Sequence, residues 1–367
     1  MREKELKEWA LERGLVLGIA PALPFQRGLA ALKWREERGI ITPFACGSLE
    51  ERCHPRLLYP MVRSLIVVAK PHPDPATVSL PAKEFIARYA LGTDYHDELQ
   101  NSLQELAQYL RQNGAEFTAV QVDSGPLLER EAAYLAGLGY YGANCNLIIP
   151  GMGSAVSLGI LLTDLELEPG VPAEPVTCAE CGRCLKACPT KALVAPGRLD
   201  PARCLSYLTQ ARGVVPSDLR PFFKRYLWGC DVCQEVCPAA GREPAQLWEQ
   251  GAEGNSPEGS YRFTELAAIL AMDNKQFTKV FGTTPLAWRG KTVIQRNAVL
   301  LLGNWGDLFA LPLLEQALRS PSPIVRGHAA WALGRLGPSA RSLLNKARLE
   351  EKDVLVRREI DEALEAI

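Results

Sequence analysis

CAECGRCLKACP, residues 178–189, sets Cys178, Cys181, Cys184 and Cys188 at the spacing C-x2-C-x2-C-x3-C-P. A second run, CDVCQEVCP at 230–238, repeats its end, with Cys230, Cys233 and Cys237 reading C-x2-C-x3-C-P. Between the runs lies Cys204. A [4Fe–4S] cube needs four thiolates converging on one small volume. A tight loop with two-residue gaps points three sulfurs inward, and the cysteine before proline crosses to the other cluster. Cys178, Cys181 and Cys184 are therefore expected to share one cluster with Cys237. Cys188, Cys230 and Cys233 are expected to hold the second, with Cys204 as the simplest fourth ligand. Two four-cysteine zinc sites would use the same thiolates, but zinc ribbons do not usually carry two C-x3-C-P endings. Cys46, Cys53 and Cys145 read as ordinary small residues.

The chain around these runs has 367 residues, 47% hydrophobic and 23% charged. That excludes a disordered chain and a small disulfide-stapled module, and it predicts two or three domains. Lys and Arg number 41 against 42 for Asp and Glu, which argues against a uniformly basic nucleic-acid binder. The opening MREKELKEWALERG is charged and amphipathic, without the apolar core of a signal peptide. No apolar run approaches a membrane span. A cytoplasmic protein with reduced thiols is expected, with no membrane partner.

The first 170 residues read as mixed. Leu65–Ala69, Phe117–Val122, Leu147–Ile149 and Val156–Leu162 are strand candidates, and 98–113 and 127–136 are helix candidates. Pro126 suits a first helical turn. This predicts an α/β or α+β layer domain. Gly137, Gly139 and Gly142 form a G-x-G-x-x-G, but after a helix and before a strand, so the dinucleotide reading is rejected.

The C-terminal end repeats. Ile294–Gly303 aligns with Val325–Gly334 at an offset of 31, and Val325 onward aligns with Val356 onward at the same offset. Pairs of amphipathic helices broken by Pro, Gly and Ser predict a short solenoid of HEAT-like repeats. Between Arg289 and Arg348 nine basic side chains face Asp307 and Glu315 alone. Arg319, Arg326 and Arg335 are the candidates for an RNA-facing stripe, against the plain alternative of a solvated surface.

Taken in order along the chain, these stretches resemble the epoxyqueuosine reductase family. The resemblance rests on Arg88–His96 (RYALGTDYH) and on Val122–Pro126 running into Glu129, Arg130 and Glu131. It continues through Ala136–Asn144, Gly153 and Ser154, the cysteine runs, Cys204–Thr209, Trp228–Pro238 and the terminal repeats. One position departs: the family's lysine before Asn144 is Ala143 here.

The resemblance implies three domains. These are an α/β cobalamin-binding catalytic domain over 1–170, a ferredoxin-like domain with two [4Fe–4S] clusters over 171–245, and all-α HEAT-like repeats over 246–367. It implies cobalamin fed by the clusters, an external low-potential electron donor, tRNA carrying epoxyqueuosine as substrate, and a monomer. The implied reaction removes the epoxide oxygen with two electrons and two protons. Clusters pass single electrons, so the cofactor carries the hard step. Asp123, at a strand end, is the expected proton donor, with a pKa raised by a poorly solvated site; its plain alternative is a turn residue. Arg130 faces substrate or forms an ion pair with Glu129 or Glu131. Arg56, Asp123, Ser154, Ser206 and Asp231 are candidate cobalamin contacts, as are Tyr95 and His96, each with a plain structural alternative. A reductive dehalogenase-like reductase of a small molecule is the competing reading, although such enzymes typically carry an export signal and lack terminal repeats.

Overall fold

The structure, a computed structural model, describes residues 3–40, 44–170, 178–240 and 257–367. The chain packs as two compact units. The first takes residues 1–73, 93–204 and 232–247, and the second takes 74–92, 205–231 and 248–367. These two compact units are not cut at the boundaries expected from sequence. The expected boundary after 170 borders a stretch outside the described residues, and the one after 245 lies within another.

The first unit is built on a four-stranded antiparallel sheet, in the order Val16–Pro21, Ser64–Pro71, Val156–Thr163, Thr118–Gln121. Leu65 to Ala69 are fully buried, so the sheet is covered on both faces. The pleat sorts them. Leu65, Val67 and Ala69 join Ala132 and Ala133 of the helix Glu129–Leu135 in one core. Ile66 and Val68 meet Leu99, Leu103, Leu106 and Leu110 of the helix Tyr95–Gln112 in the other.

The Tyr95–Gln112 helix starts three residues before the expected position, because the Asp94 side chain accepts from the His96 N–H and caps it. The strand Val16–Pro21 was not anticipated. Gly18 interrupts its apolar run, where a Cβ would meet the Ala136 carbonyl at 2.5 Å. In the rejected dinucleotide motif, Tyr140–Tyr141 pairs with Leu147–Ile148. A Cβ on Gly139 would meet the Ile148 carbonyl at 2.2 Å, so that glycine serves hairpin packing.

The second unit holds the repeats. The helices Lys291–Trp305, Pro323–Arg335 and Val354–Glu365 stack as successive inner helices. Their core also takes in Phe85, Ile86, Leu227 and Trp228. Buried side chains hold the 205–231 stretch in this unit. Arg296 donates to the carbonyls of Leu208, Ala211 and Gly213, and Asn297 donates to those of Thr209 and Leu227. Each leaves few buried carbonyls unpaired.

The basic side chains between 289 and 348 are partly paired within the fold. Arg296 is buried. Arg326 makes a two-pronged pair with Glu351 at 2.7 and 3.0 Å. Arg319 pairs with Glu315, and Arg348 pairs with Asp361. Arg335 is exposed. Among the described residues no helix is long and apolar enough to cross a membrane.

Candidate functional site

Asp123 stands two residues past the strand Thr118–Gln121, with φ at +51°. That left-handed conformation is uncommon outside glycine and is tolerated best by Asn and Asp. The loop around it is braced from beneath. The Gln121 side chain donates to the Leu127 carbonyl at 2.8 Å and accepts from the Leu127 N–H at 3.1 Å. The Asp123 backbone N–H donates to Glu129 Oε1 at 2.5 Å. The carboxylate itself points outward, 61% exposed.

The start of the helix Tyr95–Gln112 meets this loop. The Tyr95 hydroxyl donates to Asp123 Oδ2 at 2.7 Å. The His96 ring stacks on Tyr95 with centroids 4.1 Å apart. His96 Nδ1 lies 2.6 Å from Asp94 Oδ1, and Nε2 lies 3.7 Å from Asp123 Oδ2. Arg130 turns away to donate to the Cys145 carbonyl at 2.7 Å. Among the described residues no ion pair within 4 Å joins it to Glu129 or Glu131, although its charge favours the Glu129 carboxylate.

The electrostatics invert one expectation. Asp123 is not raised. The facing His96 ring is the largest influence, and together with the Tyr95 hydroxyl it outweighs burial and holds the carboxyl below its ordinary range. The raised carboxyl is Glu129, pushed up to about 8 by burial and by the Asp123 charge. Burial pulls His96 down, but the facing Asp123 carboxylate and the bonded Asp94 win and push it up to about 9.

From this loop a short path leads to the cysteines. The segment 142–146 accepts Arg130 at Cys145. Its Asn144 side chain donates to the Cys233 carbonyl at 3.2 Å, and the Ala143 N–H donates to Cys178 Sγ at 3.4 Å. Backbone N–H bonds to sulfur are among the interactions that tune an iron–sulfur cluster. Ala143 itself is buried beside Cys184 and Cys188. Burial raises the Cys237 thiol, and the charges of Cys178 and Cys181 add to it. Burial likewise raises Cys184, with Cys178 and Cys237 adding. Cys188, Cys204 and Cys233 border one apolar cluster. Cys230 belongs to the second unit.

The other sequence candidates fall elsewhere. Arg56 donates to the Val62 carbonyl and lines a cleft of about 720 Å³ with Ser64 and Asp164. In the sheet register Ser64 faces Thr163, whereas Gln121, which leads to Asp123, faces Ile160 and runs on toward the other end. Arg56 therefore sits at the end of the sheet away from the acid. Ser154 donates to Gln234 Oε1 at 3.0 Å. Asp231, in the second unit, accepts from the Arg88 N–H at 2.7 Å. Ser206, also there, accepts from the Gln210 side chain. All three sustain local backbone or a neighbouring side chain. Sequence reasoning passed over Asp94 as a ring-orienting group and Glu129 as a loop brace. The D-Y-H triplet at 94–96 carried a usable sign, an N-cap acid two residues from a histidine.

An acid loop that shares one unit with seven of the eight cluster-type cysteines points to the class of iron–sulfur oxidoreductases. Comparison with known proteins narrows the class. Residues 52–124 match the family model described as epoxyqueuosine reductase QueG. Residues 177–240 match a 4Fe-4S double cluster binding domain, and 289–365 match HEAT repeats. The chain is 35% identical to the epoxyqueuosine reductase of Bacillus subtilis, over 100% of this chain and 96% of that protein. It is 34% identical to that of Listeria monocytogenes, over 98% and 96%. A crystal structure of epoxyqueuosine reductase with an epoxyqueuosine-modified tRNA-Tyr stem loop superposes with a TM-score of 0.87 at 35% identity, covering 99% of this chain and 98% of that one. A Bacillus subtilis structure with its catalytic aspartate loop swung out of the active site gives 0.86 at 35% identity, over 100% and 98%. The chain belongs to the epoxyqueuosine reductase family.

Proposed function

We propose that this chain reduces epoxyqueuosine in tRNA to queuosine, and that Asp123 delivers a proton to the epoxide oxygen as it leaves. The observation that supports this most is that Asp123, braced by Glu129 and Tyr95, shares one unit with Cys178, Cys181, Cys184, Cys188, Cys204, Cys233 and Cys237. The neighbour bound to a modified tRNA stem loop supports the substrate class. The neighbour with a catalytic aspartate on a loop supports an acid placed as Asp123 is.

Two [4Fe–4S] clusters, held by those cysteines with Cys230, carry electrons from an external low-potential donor. The chain works as a cytoplasmic monomer. Cobalamin is the second cofactor, and the donor set here fits a corrin held without imidazole. His96, the histidine at the site, has Nδ1 engaged by Asp94 and Nε2 turned to Asp123. When bound, its cobalt supplies the electron-rich centre that no side chain offers. Within the first unit the Asp123 loop and Ser154 are the residues that would hold it; Ser206 and Asp231, in the second unit, stay as the further candidates of the sequence, and Arg56 is left out by the sheet register. Asp123 keeps an outward carboxylate for the leaving oxygen, Tyr95 fixes its Oδ2, and Glu129 fixes its backbone.

The test is anaerobic incubation with cobalamin, a low-potential reductant and epoxyqueuosine tRNA, followed by nucleoside mass spectrometry. Queuosine is the expected product. Asp123→Asn is expected to keep its iron and cobalamin while turnover falls by about 10²–10⁴, the usual weight of a positioned acid. Turnover within a few-fold of wild type would assign the acid elsewhere. Lost cobalamin would make Asp123 chiefly a cofactor contact.

A further inference from the structure

Asp123 presents a difficulty as an acid. A proton donor must carry its proton when the oxygen leaves, yet the surroundings of Asp123 favour its ionised form. The same surroundings favour a proton on the neighbouring ring, His96. Asp94 Oδ1 accepts both the His96 N–H at 3.0 Å and the ring Nδ1–H at 2.6 Å. One carboxylate oxygen thus fixes the ring's backbone and its tautomer together. Nε2 is left facing Asp123 Oδ2 at 3.7 Å, over the stacked Tyr95 ring. A carboxylate on each side of one imidazole favours the imidazolium.

We propose that His96, oriented by Asp94, is the proton store that recharges Asp123. The inference rests on the reading of Asp123 as the acid. His96 acts through Asp123 and is a positioning residue. The leg balances in protons alone. Nε2 and Oδ2 close by about 1 Å to hydrogen-bond distance, and only as negative charge develops on the leaving oxygen does the Nε2–H bond break and the Oδ2–H bond form. Asp123 then gives that proton to the leaving oxygen, and His96, 39% exposed, takes another from water. The electrons come from the external donor of the proposed reaction.

The groups that bear on this step are few. Asp94 and Tyr95 flank His96 on its own segment, and Asp123 faces it from the loop. Behind the loop, Arg130 favours the Asp123 carboxylate. Glu129, pushed up to about 8, is mostly neutral at pH 7 and adds little negative charge. Two residues along the helix, Glu98 is paired with Lys70.

The chain has four histidines, so NMR of histidine-labelled, cluster-loaded full chain resolves His96 as the signal lost in His96→Gln. Its midpoint is expected near 9 and is expected to fall toward 6.5 in Asp94→Asn. Wild-type turnover on saturating stem loop is expected to hold through neutral pH and to fall as His96 deprotonates. His96→Gln is expected to lose on the order of 10²-fold at pH 7. Its activity should also decline steadily from the acidic side, following Asp123's own small protonated fraction. A wild-type His96 midpoint at the ordinary value overturns the proposal. So does a His96→Gln profile parallel to wild type, which marks a structural role. If wild type converts no epoxyqueuosine at any pH, the functional reading fails, and the NMR midpoint still decides whether His96 holds its proton against Asp123.

Discussion

At His328 both ring nitrogens are taken by backbone. Nδ1 donates to the Ile324 carbonyl at 2.7 Å, and Nε2 accepts from the Val215 N–H at 3.1 Å. A second ring proton would set N–H against N–H inside a buried site. Burial, with the charge of Arg220 adding, pushes this histidine down to about 3 from 6.5. The folded value lies below the unfolded one, so the unfolded chain binds the proton first as pH falls. The contribution is therefore present above about pH 6.5 and is lost downward, at about 1.4 kcal/mol per pH unit. Denaturant unfolding followed by tryptophan fluorescence is expected to show about 2 kcal/mol more loss between pH 6.5 and pH 5 in wild type than in His328→Gln. Equal losses would place the pH sensitivity elsewhere. Little of this was legible in sequence. A histidine on a repeat helix says nothing of a backbone N–H from 113 residues earlier. The loop position of Asp123 was legible, from V-D-S-G-P after an apolar run. Its lowered pKa was not, because His96 reaches it only when the helix Tyr95–Gln112 packs on the sheet.

The repeats show how an element can be read from period alone. The offset of 31 carries Gly303 onto Gly334, and it also carries Ala332 onto Ala363. These pairs are the contacts. A Cβ on Gly303 would stand 2.6 Å from the Ala332 Cβ, and one on Gly334 would stand 3.0 Å from the Ala363 Cβ. Each inner helix crosses the next at a small-residue point, so the sequence period is a packing period. Gly303→Ala should force helices apart or bend them, costing about 1–3 kcal/mol as overpacking does. Gly334→Ala, with more room, should cost less. Thermal unfolding of the two variants checks the order, and equal or reversed shifts would refute it. Charge was less legible than period. The basic excess between 289 and 348 ended just short of Glu351 and Asp361, which pair with Arg326 and Arg348. Linear windows miss partners that a helical stack brings back one repeat later.

Over the whole molecule the cysteine spacing was legible and the grouping into two compact units was not. Spacing is a local property of two loops. Division depends on which buried side chains reach which carbonyls, and Arg296 and Asn297 keep 205–231 with the helices. Cys204 is the last residue of the first unit before that stretch begins. It ends the turn Pro201–Arg203, which the Asp200 side chain caps through the Ala202 N–H. There it borders the apolar cluster that holds Cys188, with Cys233 beside it. Cys145 borders the same cluster and is the rival for the fourth place in the second ligand set. Its backbone is already committed: φ is +65°, and its carbonyl takes the Arg130 guanidinium. The N–H of the Cys145 loop that reaches a sulfur goes to Cys178, of the first set. Spacing and place together favour Cys204. Anaerobically prepared wild type is expected to hold about eight iron and eight sulfide per chain, and Cys204→Ala about four of each. Cys145→Ala keeps the carbonyl that Arg130 needs and is expected to retain the wild-type count. Iron lost from the Cys145 variant and kept in the Cys204 variant would exchange their roles. Zinc in place of iron would remove the cluster scheme altogether.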